Sequence, residues 1–259
     1  MVIVITGGSS GIGLVTAEYL ESKGHTVYAL SRTVRLLSHV TSFSCDVTNE
    51  EQVASCLEKV NDAHGHIDVI INNAGMGISG AFEHHPASDI DSLLNINIKG
   101  VLNVSRLGLP YLRASKGRLI NIGSVAGELA IPFQTLYSAS KSFISTFSEG
   151  LANEVKPLGV KVSCVLPGDT KTNFTANRKK NPNQGLYEAR VERSLAKMEH
   201  DEIHGVSPLK VAKVIEKCIQ KKHPPLKIVV GFDYKLLVFL KRFLPTKLVN
   251  AILYSMYRK

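Results

Sequence analysis

Tyr137 and Lys141 stand four residues apart in the run Tyr137-Ser138-Ala139-Ser140-Lys141, within a stretch, 135–156, whose pattern predicts a helix. On a helix that spacing puts the phenol and the ammonium on one face. A phenol ionises at about 10 and is a poor acid or base at neutral pH, but a neighbouring cation favours its ionised form. The pair suits proton transfer at an oxygen. Tyr137 would protonate a developing alkoxide as hydride reaches a carbonyl, or take the proton of an alcohol in the reverse direction. Ser124, which follows a predicted strand at 118–122, is placed to hold the substrate oxygen by a hydrogen bond. A tyrosine and a lysine on one helix are commonly surface residues, so this reading depends on the rest of the chain.

A second run that could do chemistry is Thr6-Gly7-Gly8-Ser9-Ser10-Gly11-Ile12-Gly13. It joins a short β-branched strand, Val2 to Thr6, to a helix with an apolar face at Ile12, Val15, Ala17 and Leu20. Glycines in that place permit a tight turn and close approach to a pyrophosphate, with the helix N-terminus facing the anion. The next strand, Thr26 to Leu30, should end beside an adenosine ribose, where a carboxylate would take both hydroxyls of NAD. Ser31 and Arg32 occupy that position. A guanidinium makes charge-assisted bonds with a 2′-phosphate, so NADP (NADPH) is the expected cofactor, with Arg35 either assisting or at the surface.

The elements that must position these groups repeat one pattern. Strands are predicted at Ile67 to Ile71, Arg118 to Ile122, Val160 to Leu166 and Lys227 to Val230. Helix-like stretches at 50–63, 88–112 and 135–156 are long enough to cross over a sheet. The strands run into Asn72-Asn73-Ala74-Gly75, Gly123-Ser124 and Pro167-Gly168. This predicts an open, mostly parallel sheet with helices on both faces and ligand loops at the strand C-termini. Only about a dozen residues separate Arg32 from Asp46, which predicts a shortened crossover there. The loop after Pro167 and a polar helical stretch near 186–203 form a candidate lid over about 169–205.

The chain has 259 residues, 44% of them hydrophobic, which suits one globular domain over 1–259. Four cysteines without a C-x-x-C pair exclude a zinc cage or disulfide scaffold. His84-His85 and the pair His64, His66 lack an accompanying ligand set, so no metal is expected. Ser124 lacks a G-x-S-x-G elbow, which argues against a hydrolase. The opening MVIVITGGSSGIG has no basic n-region and predicts a cytoplasmic chain. The net charge of +9 does not indicate a nucleic-acid partner, because residues 210–259 hold twelve Lys/Arg against Glu216 and Asp233 and the remainder is close to neutral.

Together, the motifs resemble the classical short-chain dehydrogenase/reductase family over nearly the full length. TGGSSGIG at 6–13, Asp46-Val47, NNAG at 72–75, Asn97, Ser124, the Tyr137 to Lys141 run and Pro167-Gly168 occur in the family's order. The resemblance implies a Rossmann-like, doubly wound α/β fold with a mostly parallel seven-stranded sheet. It also implies roles. Asp46 would accept from the adenine amino group beside the Val47 backbone, and Asn73, Ala74 and Gly75 would line the cofactor cleft. Asn97 would keep a water that links Lys141 to solvent, while Lys141 also binds the nicotinamide ribose. Pro167, Gly168, Thr170 and Thr172 would flank the nicotinamide, Thr172 bonding its carboxamide. A homo-dimer or tetramer is implied, with helices near 97–112 and 137–156 at one interface. The short 33–45 connection departs from the family pattern.

The expected reaction is the interconversion of a ketone or aldehyde with an alcohol. Leu129, Ile131, Phe133, Phe174 and Leu195 are apolar candidates for the substrate pocket and suggest a steroid-like, retinoid-like or acyl-chain compound. A 3-oxoacyl-type reductase and a non-catalytic dinucleotide-sensing or interaction protein are the alternatives. Tyr234 to Tyr257 mixes apolar residues with bases and is divided by Pro245 into two amphipathic segments. This extension, about 234–259, could rest peripherally on an anionic membrane, cover the core, or meet another subunit.

Overall fold

The computed structural model describes residues 1–35, 39–181 and 184–258. Residues 36–38 of the short connection, 182–183 of the expected lid and Lys259 of the extension lie outside them. In chain order the elements are β1 (Val2–Thr6), α1 (Gly11–Glu21), β2 (Thr26–Ser31), β3 (Thr41–Ser44), α2 (Glu50–His64), β4 (Val69–Asn72) and β5 (Ile78–Ser79). They continue with α3 (Ala87–Leu94), α4 (Gly100–Ser115), β6 (Arg118–Ile122), α5 (Thr135–Val155), β7 (Lys161–Pro167), α6 (Phe174–Asn177) and β8 (Lys179–Lys180). The last are α7 (Glu188–Ile203), α8 (Pro208–Gln220), β9 (Lys227–Val230), α9 (Phe232–Lys241) and α10 (Thr246–Arg258).

Seven strands form a parallel sheet in the order β3-β2-β1-β4-β6-β7-β9. Successive side chains of a strand point to opposite faces. Val2 and Val4 accordingly join a core with α2 and α4 residues such as Leu57, Val60 and Val104. Ile3 and Ile5 face Ala17 and Leu20 of α1 and Val211, Ile215 and Ile219 of α8. The strand order reverses direction between β1 and β4, so the loops leaving these two strands part and open a crevice at their C-terminal ends.

A buried polar chain runs through one face. Asn72 on β4 donates to Ser105 Oγ (3.0 Å) and to Asn121 Oδ1 on β6 (2.9 Å). Asn121 donates onward to Ser148 Oγ on α5 (2.9 Å), and Ser148 to the Ile144 carbonyl (2.7 Å).

Most predicted elements occur within a few residues of their expected bounds. The stretch 88–112 is not one uniform helix: α3 and α4 are joined by a π-helical turn over Asn95–Lys99. Between β2 and β3 no helix lies among the described residues, in keeping with the shortened crossover. The helix α8 is an addition to the predicted elements. Its signals are local: Ser207 accepts from the Leu209 amide as the N-cap, Pro208 opens the helix, and Val211, Ala212, Ile215, Cys218 and Ile219 make its buried stripe.

Candidate active site

The glycine loop is tied to the loop after β4 through one hydroxyl. Thr6 Oγ1 accepts from the amides of Asn73 and Ala74, both at 3.0 Å. The Asn73 amide group donates to the carbonyls of Thr6 (2.9 Å) and Gly7 (3.1 Å). This contact leaves no room for a side chain: a Cβ at Gly13 would meet the Gly7 carbonyl at 2.2 Å, and Gly7 has φ +67°. Strand and helix are thereby brought together with bare backbone between them, a cradle suited to a pyrophosphate.

Helix α5 carries the candidate reactive groups on the stripe that faces the sheet. Lys141, Ile144 and Ser148 are buried one turn after another along it. Lys141 Nζ donates to the Ile122 carbonyl at the end of β6 (2.9 Å) and lies 5.9 Å from the centre of the Tyr137 ring. Burial lowers its pKa to about 8. Tyr137 packs against Phe174, ring centres 5.5 Å apart, and hydrogen-bonds to Ser124. Burial pushes the phenol up to about 12, and the Ser124 bond only partly opposes this. The direction corrects the sequence expectation that Lys141 lowers it. The ammonium is turned to a carbonyl, and desolvation outweighs any charge effect.

Ser124 Oγ also accepts from the Ala126 amide (3.1 Å). Asn97 is fully buried in the π-helical turn. It accepts from the Met76 amide (2.8 Å) and donates to the Met76 carbonyl and to Ser140 Oγ, both at 3.0 Å. A Cβ at Gly75 would sit 3.4 Å from Asn97 Oδ1 and 3.6 Å from Lys141 Nζ, so Gly75 allows both to approach. Asn97 thus stands behind the site.

One cavity of about 880 Å³ unites these parts. Of the expected cofactor residues it is lined by Gly7, Ser9, Ser10, Gly11, Ile12, Ser31, Arg32, Asp46, Val47, Asn73, Ala74, Gly75, Pro167, Gly168, Thr170 and Thr172, together with Ser124, Tyr137 and Lys141. Gly13 and Asn97 are not in its wall; each acts on residues that are. Arg32 is exposed at the cavity edge. Asp46 Oδ1 is engaged by the Thr48 amide (2.9 Å) and hydroxyl (2.8 Å).

On the substrate side Leu129, Ile131 and Phe174 line the cavity, whereas Phe133 and Leu195 do not. Phe133 faces a separate recess with Tyr187 and Arg190. Asp169, Asp201 and Glu202 also line the cavity, within the 169–205 stretch expected beside the pocket, and sequence reasoning missed as pocket residues the extension's Leu237, Leu240, Leu244, Val249, Leu253 and Tyr257. Val249 and Leu253 pack on Val125 and Leu129. Tyr234 hydrogen-bonds to Asp169, and its ring lies over Gly168, where a Cβ would meet it at 2.1 Å. Tyr234, Val238, Val249 and Leu253 recur at helical i, i+4 spacing, the signal that could have identified this inner stripe.

The glycine cradle, the cavity and the Tyr137, Lys141 and Ser124 set bear on one question of kinship. Residues 1–183 match the family model described as short chain dehydrogenase. The chain is a short chain dehydrogenase. It is 41% identical over 235 residues to the 3-ketodihydrosphingosine reductase of Bacteroides thetaiotaomicron, covering 89% of this chain and 87% of that protein. A short-chain dehydrogenase from Streptomyces avermitilis superposes with a TM-score of 0.83 at 29% identity, covering 98% of this chain and 94% of that one. A short chain dehydrogenase/reductase from Burkholderia phymatum in complex with NAD shares the fold, with a TM-score of 0.82 at 24% identity and coverage of 93% and 92%. This short chain dehydrogenase is therefore an oxidoreductase of a family that uses a nicotinamide dinucleotide and acts on small molecules.

Proposed function

We propose that this short chain dehydrogenase reduces the ketone of a hydrophobic, long-chain compound and uses NADPH in preference to NADH. The observation that carries the reading is that Tyr137, Ser124 and Lys141 share one cavity with the glycine cradle at one end and an apolar wall at the other. The resemblance to a 3-ketodihydrosphingosine reductase supports a long-chain ketone over a steroid or retinoid. Arg32 at the end of β2, with no carboxylate there, supports NADPH.

The residues fit a dinucleotide: Gly7 to Ile12 would hold the pyrophosphate, Ser31 and Arg32 the adenosine ribose and its phosphate, Asp46 and Val47 the adenine. Pro167, Gly168, Thr170 and Thr172 would hold the nicotinamide end. When bound, this cofactor supplies the hydride. Ser124 Oγ donates a hydrogen bond to the substrate oxygen and orients it toward Tyr137. A phenol held up at about 12 keeps its proton at physiological pH and delivers it only as negative charge develops on that oxygen. Lys141, its ammonium held at the Ile122 carbonyl, would bind the nicotinamide ribose, and Asn97 holds the Met76 backbone and Ser140 in place beside the site. Pairing with a second copy through α4 and α5 is the expected assembly.

The test is titration with NADPH and NADH, followed by loss of nicotinamide absorbance with long-chain 3-ketones, 3-oxoacyl, steroid and retinoid substrates. The expected result is NADPH preference with turnover on the long-chain ketone. Tyr137→Phe should slow turnover by about 10²- to 10⁴-fold while NADPH still binds. Binding with no turnover on any of these would instead support a sensing protein.

A further inference from the structure

The helices α9 and α10 carry two apolar stripes where one would suffice to pack them. The inner stripe covers the cavity. The outer one, Leu236, Phe239, Leu240 and Phe243 followed by Leu248 and Ile252, repeats at i, i+3, i+4 and i+7 and faces solvent. Phe239 is 53% and Phe243 70% exposed, their rings 5.3 Å apart. Exposed apolar residues at scattered points are ordinary, but a continuous helical stripe of them marks an interaction surface.

The charge on the same segment is one-sided. Residues 232–259 contain six Lys/Arg and one acid, Asp233 in the first turn of α9. Lys235, Lys241, Arg242 and Lys247 are all exposed. Two copies meeting through this face would bring these cations together, whereas an anionic surface complements them. Leu240 and Ile252 belong both to the cavity wall and to the outer surface, at 42% and 43% exposure, so the mouth of the cavity opens within the apolar patch. No helix among the described residues is long and apolar enough to cross a membrane. Pro245 lies between α9 and α10, a chain break that suits two short segments lying flat on an interface.

We propose that the outer face of α9 and α10 docks on an anionic phospholipid bilayer, apolar stripe into the headgroup boundary and bases against the phosphates. Substrate delivery from that bilayer into the cavity mouth follows if the substrate is hydrophobic, and that clause alone rests on the function proposed above.

The experiment is co-sedimentation of the full-length protein with vesicles of phosphatidylcholine alone or mixed with phosphatidylglycerol. Binding is expected to the mixed vesicles and to be released by salt. Lys235→Ala with Arg242→Ala should weaken it roughly 30-fold. Phe239→Ser with Phe243→Ser should weaken it by a similar factor, of order 30-fold. Neither pair lines the cavity, so turnover of a short, water-soluble ketone stays unchanged and separates this docking from the reaction itself. Wild-type protein left in the supernatant with mixed vesicles would overturn the proposal. So would a dimer in sedimentation velocity that dissociates in the Phe239→Ser, Phe243→Ser variant, since the stripe would then belong to a second copy.

Discussion

Replacing Lys141 by Met tests whether the buried ammonium costs stability, as its surroundings require. The ordinary lysine pKa of 10.5 is lowered to about 8 by burial. Below about pH 8 the amine is protonated folded or unfolded, and the full cost of burying the charge is felt, about 3 kcal/mol. As pH rises from about 8 towards 10.5, the folded protein gives up its proton while the unfolded chain keeps it. The unfolded state then binds more protons, so the lysine's penalty shrinks with pH. Between about pH 7 and pH 9.5 linkage with these two values relieves about 2 kcal/mol of it. Lys141→Met has no such proton, and the Tyr137 titration is common to both proteins. Calorimetric melts of both at the two pH values should therefore show the gap moving in favour of wild type on going to alkaline pH. For a chain of this length about 2 kcal/mol corresponds to roughly 4–8 °C. A gap that stays constant, or moves the other way, would refute the assignment of a desolvated, protonatable lysine.

Arg32→Asp should weaken NADPH binding by about 10- to 100-fold, the loss of a charge-assisted bond, and shift preference towards NADH in the same titration; an unchanged ratio would remove Arg32 from the cofactor argument. Gly13→Ala forces a methyl into the Gly7 carbonyl, 2.2 Å away, and should lower stability by about 1–3 kcal/mol and weaken dinucleotide binding. Gly150→Ala in α5 meets nothing within 4 Å and should leave binding intact while raising the melting temperature slightly, through about 0.5–1 kcal/mol of helix preference. Similar losses in both would mean that close backbone approach is not what Gly13 provides.

The half of the cavity proposed for the cofactor brings together residues whose signals in the sequence are local. Gly7 to Gly13 lie in one turn between a strand and a helix, and Tyr137 and Lys141 lie on one helix face, so spacing alone brings them together. The bounds of β1, β6 and β9 follow from short β-branched or alternating runs closed by glycine, proline or charge. The substrate half was harder to read because residues distant in sequence build it. Leu253 joins one apolar cluster with Leu129 across more than a hundred residues, and Asp169 is held by Tyr234 only after the chain has crossed the last strand. Phe133 looked like a pocket residue from its neighbours Ile131 and Leu129, but its backbone takes φ +60°, and it meets Tyr187 in another recess. The Tyr137 pKa was read in the wrong direction because a sequence gives the charge on Lys141 and not the water removed from around the phenol.

The polar chain from Ser105 through Asn72 and Asn121 to Ser148 bears on how the strands choose their alignment. Val, Ile and Leu dominate the core, and apolar contacts alone discriminate weakly between neighbouring alignments of parallel strands. A one-residue slip of β6 would turn Asn121 to the opposite face and break its two bonds in the chain, to the Asn72 amide and to Ser148 Oγ. Each hydrogen bond lost in this way costs about 0.5–1.5 kcal/mol. Ser124 leaves β6 only two residues after its end, and Tyr137 descends from the helix that Ser148 pins to Asn121. The alignment that links these four buried side chains is thus the one that brings a serine from one element to a tyrosine on another, so core specificity and the proposed reacting geometry are chosen in the same step.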